Sequence, residues 1–312
     1  MTAPLTTVHT FGDRIEVAAA GTRVLSYVYR PDPYPFEAPK PYVHPLRTLA
    51  GRLVSGYRPH DHRWHKGLQM TASHLSGQNF WGGVSYLGPD QGYQHVPERV
   101  GFMRHNEFTT VTGTDDRFEL TESLTWVAND GTEWAGEQRG FRVHSVDHAA
   151  GSYALDWSIR LTNIRGEPLR FGSPTTAGRE MAGYTGLQWR GPRDFTGGQV
   201  LTPAGPATDE ATMGTPAADA EWIGFTAAHD DVDAHSTLLF AHAPENLGAD
   251  AVHPSHWFVR STPIPSVAFS WAFFEEFELP PGESFGYRYR VVVADGAWDH
   301  DRAAAHLKGL PW

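Results

Sequence analysis

The chain contains no cysteine, which excludes a disulfide framework, a thiolate metal site and a cysteine nucleophile. Any metal would have to rest on His, Asp or Glu. Long apolar runs are missing too. No segment approaches the roughly 18 consecutive apolar residues of a membrane-spanning helix, and the opening Met1-Thr-Ala-Pro-Leu-Thr-Thr7 lacks a basic region followed by an apolar stretch. These absences predict a cytoplasmic protein with no membrane attachment. Positive charge is scarce: 25 Lys plus Arg stand against 36 Asp plus Glu, a formal net charge of -11, and no Lys/Arg run could track a phosphate backbone. Nucleic acid is not an expected partner.

What is present suffices for a sizeable core: 40% apolar and 12% aromatic residues among 312. No linker divides the chain, so residues 1–312 read as one β-sandwich domain. Two-residue alternation is clearest at Tyr153, Leu155, Trp157, Ile159 and Leu161, and returns at Phe118, Leu120, Leu124 and Trp126 and at Phe285, Tyr287, Tyr289, Val291 and Val293. One helix is expected, from about Asp299, a capping residue, to Lys308, with Gly309 as its stop. Tracts rich in Gly and Pro, at Pro31 to Pro45, Gly191 to Pro216 and Asp230 to Pro265, read as long loops, and Thr202 to Asp219 as a surface excursion. The expected fold is all-β: a large antiparallel sandwich, curved into a supersandwich, with a short C-terminal helix.

The densest polar chemistry lies in Pro41-Tyr-Val-His-Pro-Leu-Arg47 and Arg58-Pro-His-Asp-His-Arg-Trp-His-Lys-Gly67. His44, His60, His62 and His65, with Arg47, Arg58, Asp61, Arg63 and Lys66, suit proton transfer near neutral pH, binding of hydroxyls or carboxylates, or a divalent metal on His60, His62 and His65. Lys66 would put a cation beside such a metal, and the ligand set does not choose among metals. The competing reading is a polar loop, hydrogen-bonded and anchored by Trp64. A second constellation, Phe171 to Arg190, carries Arg179, Glu180, Tyr184, Gln188 and Arg190 among glycines and reads as a binding loop or as a bulge whose Arg and Glu pair. In Trp271-Ala-Phe-Phe-Glu-Glu-Phe277, Glu275 and Glu276 alternate faces, so at most one could look inward. Among the aromatics, Trp64 and Tyr184 are the candidate members of a site that stacks on sugar rings.

Five ordered motifs carry a family resemblance: Pro41 to Arg47, Asp61-His-Arg-Trp-His-Lys-Gly67, Asn79-Phe-Trp81, Ala182 to Leu187 with Trp189-Arg190, and Tyr289-Arg-Val-Val-Val-Ala-Asp-Gly296. On these the chain resembles a bacterial family labelled PmoA. The label echoes a methane monooxygenase subunit, whose long apolar spans this chain lacks. The resemblance implies a soluble protein of carbohydrate catabolism. The expected fold is also similar to galactose mutarotase-like supersandwiches, where a histidine acid and a glutamate base flank the anomeric centre. That likeness implies His62 or His65 as acid and Glu180 or Glu276 as base.

These readings converge on an enzyme acting on a sugar or oxidised sugar by acid–base chemistry, of epimerase, lyase or hydrolase type. His44, His60, His62, His65 and Glu180 would be catalytic, and Arg47, Trp64, Lys66, Arg179, Tyr184 and Arg190 would bind substrate. The rivals are a metal-dependent oxygenase or hydrolase and a non-catalytic carbohydrate-binding protein.

Overall fold

Alternating apolar residues build two large antiparallel sheets in the computed structural model, which describes residues 4–32, 34–248 and 251–312. One sheet has nine strands, in the order Gly205–Ala207, Gln199–Thr202, Trp222–Ala228, His235–His242, Ser284–Asp295, Ser152–Asn163, Glu133–Asp147, Phe118–Val127 and Phe102–Gly113. The other has eight: Leu5–Thr10, Arg14–Ala19, Thr22–Val28, Tyr42–Leu46, Leu68–Thr71, Gly186–Arg190, Ser266–Ser270 and His256–Arg260. The three segments whose alternation is clearest in sequence are strands of the nine-stranded sheet, and two of them, Ser152–Asn163 and Ser284–Asp295, pair with each other. Their inward residues join one buried cluster running from Leu5 to Val293, in which Trp126, Trp157, Trp189, Trp257 and Trp271 are fully buried. The all-β antiparallel sandwich expected from the sequence is the observed architecture.

The terminal helix spans His300–Lys308, with the Asp299 side chain accepting from the Arg302 N–H and Gly309 at its end. It lays Ala303 against Trp222, Leu239, Val292 and Trp298 on the outer face of the nine-stranded sheet. A second, four-residue helix at Asp209–Thr212 was not anticipated.

The tracts read as loops are more ordered than expected. Tyr42–Leu46, Gln199–Thr202, His235–His242 and His256–Arg260 are strands within them, and Thr202 to Asp219 contains the buried Thr212 and Ala217. Pro45 concealed the first. It sits where the register against Thr22–Val28 shifts, Val43 facing Tyr27 but Leu46 facing Leu25, so its missing N–H falls at an irregularity. Met1 to Ala3, Pro33, Ala249 and Asp250, on which parts of the N-terminal and loop readings fall, lie outside the described residues.

One buried ionic network joins the sheets. Arg139 is fully buried; its Nε donates to Glu137 at 2.7 Å and its Nη1 to the Tyr27 hydroxyl at 3.1 Å across the sandwich. Tyr27 in turn donates to Glu122, which also meets His105 Nδ1 at 2.6 Å. Removing one member of a buried charge network leaves the others uncompensated. Arg139→Met should therefore cost about 3–5 kcal/mol of stability in urea unfolding, and a cost below about 1 kcal/mol, the scale of a surface pair, would show that the network is not structural.

Candidate functional site

The site lies on the face of the eight-stranded sheet turned away from the core. Leu68, Met70, Leu187, Trp189, Trp257, Val259, Val267 and Phe269 point into the core. Strand alternation sends Gln69, Gln188, Arg190, Phe258, Arg260 and Ser266 to the opposite face. The register sets Ser266 opposite both Arg190 and Arg260, so two arginines flank one serine across three strands. The adjoining rung is polar as well: Gln69 donates to Gln188 at 3.2 Å, and Gln188 to Ser266 at 3.0 Å.

Over this face folds the histidine loop, residues 58–66. It is closed at its ends by one buried carboxylate. Glu37, 3% exposed, accepts Arg58 Nη2 at 2.7 Å and Arg58 Nε at 3.1 Å from one end of the loop, and Lys66 Nζ at 2.8 Å from the other. Burial alone would raise the Glu37 pKa, but the hydrogen bonds from Arg58 and Lys66 outweigh it and hold the group below its ordinary value. The loop backbone closes on itself through Arg58 N–H to His65 O, 2.9 Å, and His65 N–H to His62 O, 3.0 Å. Buried Lys40 donates to Ala38 O and Trp81 O at 2.8 and 2.9 Å, tying the Glu37 segment to the facing loop. Trp64 then packs on Gly82 and Gly83. Both have positive φ, and a Cβ at Gly83 would stand 2.6 Å from the indole ring.

Beneath the loop is a cavity of about 380 Å³. Its walls are aromatic, from Trp64, Trp81, Tyr93, Tyr184 and Phe258, and its polar groups are His62, His65, Asp61, Arg179, Arg260 and Ser266. The two imidazoles lie 4.9 Å apart, centre to centre. His65 is 3% exposed, and its Nδ1 stands 3.3 Å from Arg190 Nη1. A guanidinium can only donate, so Nδ1 accepts and the ring proton sits on Nε2. Burial, then His62, Arg190 and Lys40, push the His65 pKa well below its ordinary value, so the ring is neutral. His62 Nδ1 lies 3.4 Å from Asp61 Oδ2, an ionic contact without hydrogen-bond geometry. Burial lowers its pKa against the pull of Asp61. Burial would raise the Asp61 pKa, but the hydrogen bond from Arg193 at 2.7 Å prevails and brings it down to about 2.

Of the residues anticipated from sequence, the structure brings His62, His65, Trp64, Arg179 and Tyr184 to this cavity. Arg190 stands behind it, against His65. The others lie elsewhere. His44 bonds Ser55 Oγ at 2.9 Å and stacks on Tyr57, with its pKa pushed down to about 4 by burial and Arg47. Arg47 donates to Gly51 O at 2.9 Å, and Lys66 is spent on Glu37. Glu180 is exposed and outside the lining, as are Glu275 and Glu276. A base drawn from Glu180 or Glu276 is therefore corrected: Asp61 is the carboxylate at the cavity. His60 opens onto a neighbouring cavity of about 630 Å³ beside Tyr34 and Arg58, so the proposed metal triad does not converge. Among the described residues no group of three or more His, Asp or Glu could hold a metal ion. Sequence reasoning missed Glu37, Tyr93, Phe258, Arg260 and Ser266; the two-residue period of His256–Arg260 was the signal that could have placed Phe258 and Arg260 on one face.

Glu37→Gln tests the clamp. It strips the charge from a buried site shared with two cations, and should cost about 3–5 kcal/mol in urea unfolding. It should also speed amide hydrogen exchange over residues 58–66 more than in the sheets; unchanged exchange in that loop would show that Glu37 does not hold it.

Comparison with known proteins yields distant structural likenesses. A GH36 α-galactosidase, AgaA from Geobacillus stearothermophilus, shares 12% identity at a TM-score of 0.43, covering 96% of this chain but only 42% of that one. A putative aldose 1-epimerase from Klebsiella pneumoniae shares 10% at 0.41, covering 98% of this chain and 82% of that one, and galactose 1-epimerase from Lactobacillus acidophilus 9% at 0.36, covering 95% and 100%. No curated protein matches the chain in sequence. The family match corrects the resemblance drawn from the motifs, because what residues 14–308 fit is not PmoA but a family of unknown function, DUF6807. By that match, which takes in nearly the whole sequence, the chain belongs to the DUF6807 family.

Proposed function

We propose that the protein binds a sugar or oxidised sugar in the cavity beneath the histidine loop and moves a proton on it. The observation that carries this reading is the pair of imidazoles, 4.9 Å apart on one aromatic-walled cavity, whose ring nitrogens face opposite kinds of partner. His65 accepts at Nδ1 from Arg190 and so offers an N–H at Nε2. Asp61 beside His62 Nδ1 favours the proton on that nitrogen and leaves Nε2 as the lone pair. One ring is a neutral donor and its neighbour a base.

That pairing suits proton abstraction from carbon next to a carbonyl. His62 Nε2 takes the proton, the C–H electron pair moves into the carbonyl to give an enolate oxygen, and His65 Nε2–H hydrogen-bonds that oxygen. Return of the proton from His62 after the enolate has turned its other face to that ring gives the epimer; departure of an oxygen substituent on the next carbon, with the His62 proton passing to the leaving oxygen, gives elimination. Glycoside hydrolysis by a pair of carboxylates fits less well, since Asp61 is the sole carboxylate among the lining residues and is held by Arg193. Trp81 and Tyr184, 4.6 Å apart, supply faces on which a sugar ring can stack.

The test is a screen of aldoses and 3-keto-glycosides in deuterated water. Turnover, or exchange of a carbon-bound proton for deuterium, is expected, and His62→Ala should lower it by about 10²–10⁴. His44→Ala, away from the cavity, should leave it within about 3-fold. The rate should fall as pH drops through a value below 6.5, because the base must be neutral and burial lowers its pKa. Full turnover in His62→Ala would sink the assignment. A sugar bound but recovered without deuterium would favour a carbohydrate-binding protein, the reading that the aromatic walls alone support.

A further inference from the structure

Three arginines approach the cavity and, among the described residues, none has a carboxylate within ion-pair distance. Arg190 and Arg260 flank Ser266 on adjacent strands, so their side chains rise from the same face about 10 Å apart at their bases. Arg179 reaches in from the loop opposite. Their direct contacts are with uncharged groups. Arg179 donates to the Tyr93 hydroxyl and lies over that ring at 4.7 Å; Arg260 lies over Phe258 at 5.3 Å; Arg190 bonds Gly191 O and His65, and its Nη2 is buried with no partner. Among the described residues none of the three has an ion pair within 4.0 Å; Arg179 and Arg260 are half-buried, and Arg190 is fully buried, where the other two fully buried arginines are paired, Arg139 on Glu137 and Arg290 on Asp156, each at 2.7 Å. Asp61, the one carboxylate in the lining, is already matched by Arg193. Aromatic faces attract a cation but do not neutralise it.

Cations gathered and left unpaired cost free energy that a counter-ion recovers. In a chain of net charge -11 such a concentration is a local reversal of sign. We propose that the natural ligand is an acidic sugar, whose carboxylate or phosphate sits between Arg179 and Arg260 while its ring lies against Trp81 and Tyr184. This rests on the sugar reading above and narrows it. The Arg forks bind such groups through paired N–H donors, and the charge orients the ring so that one of its carbons faces His62 and His65. Arg190 acts through His65 as a positioning residue.

Calorimetric titration of the full chain with D-glucuronate, glucose 6-phosphate, D-glucose and benzoate tests this. An acidic sugar should bind at least about 10-fold more tightly than glucose, with a preference that shrinks as salt rises. The stronger of the two acidic probes identifies the anionic group. In Arg179→Gln and Arg260→Gln the ratio of acidic-sugar to glucose affinity should fall towards one, and Arg260→Lys should restore part of it; circular dichroism checks that each variant is folded. Equal binding of glucose and both acidic sugars would overturn the inference and leave the sugar reading standing. Benzoate bound as tightly as glucuronate would keep the anion site but remove the sugar, and binding of none of the four would overturn both.

Discussion

The buried carboxylate of Glu37 is the interaction on which the site depends. A loop bearing His60, His62, Trp64 and His65 has little apolar surface to bury, and in water its backbone entropy would leave it open. Glu37 closes it by holding Arg58 at one end and Lys66 at the other. The arrangement is self-consistent in charge: Glu37 would be costly alone in that environment, as would Lys66, and each makes the other tolerable. Lys40 then joins the Glu37 segment to Trp81, so one acidic side chain fixes both the histidine loop and an aromatic wall of the cavity.

The same strand period that builds the core builds the site. Every strand under the cavity spends one set of side chains on the sandwich and the alternate set on the outer face. The second set would normally meet solvent. Here loops cover it, and residues that look like ordinary polar strand positions, Gln69, Gln188 and Ser266, become a buried hydrogen-bonded floor. A floor of that kind is rigid because each group has few alternative partners. Ser266 of that floor is the register partner of Arg190, which in turn meets the His65 ring.

This division explains what could be read from the chain. Ser152–Asn163, Ser284–Asp295 and Phe118–Val127 are long strands whose inward positions are mostly large and apolar, so their alternation was plain, and the Asp299 cap and Gly309 stop framed the one substantial helix among the described residues. The histidine cluster was legible as chemistry, and His62 and His65 do meet. Which members would meet was not legible. His44 is a strand residue turned to Ser55 and Tyr57, and His60 belongs to another cavity, although it is closer in sequence to His62 than His65 is. Lys66 resembled a substrate ligand because its partner, Glu37, lies 29 positions earlier in a tract that read as a Pro-rich loop. Phe258 and Arg260 fell in another such tract. The motif resemblance pointed to a different family from the one the whole chain matches.

Charge placement is the last step that the sequence conceals. The chain treats most of its buried cations conventionally, pairing Arg139, Arg290 and Lys66 with carboxylates. Buried Lys40 rests on backbone carbonyls instead, and among the described residues the arginines around the cavity have no ion pair; there both histidines are also uncharged. The two facts are related. Burial is the larger cause, and a nearby arginine adds to it by disfavouring the protonated form, as Arg190 does for both His62 and His65. A neutral His65 can then donate a hydrogen bond without carrying a charge of its own, and a neutral His62 keeps its lone pair at physiological pH. An anion bound among the arginines would partly offset that effect and raise the basicity of His62, so the occupant would tune the base that acts on it. Positive charge in this site would thus serve recognition and protonation state together, which a cavity lined by neutral hydrogen-bonding groups could not do.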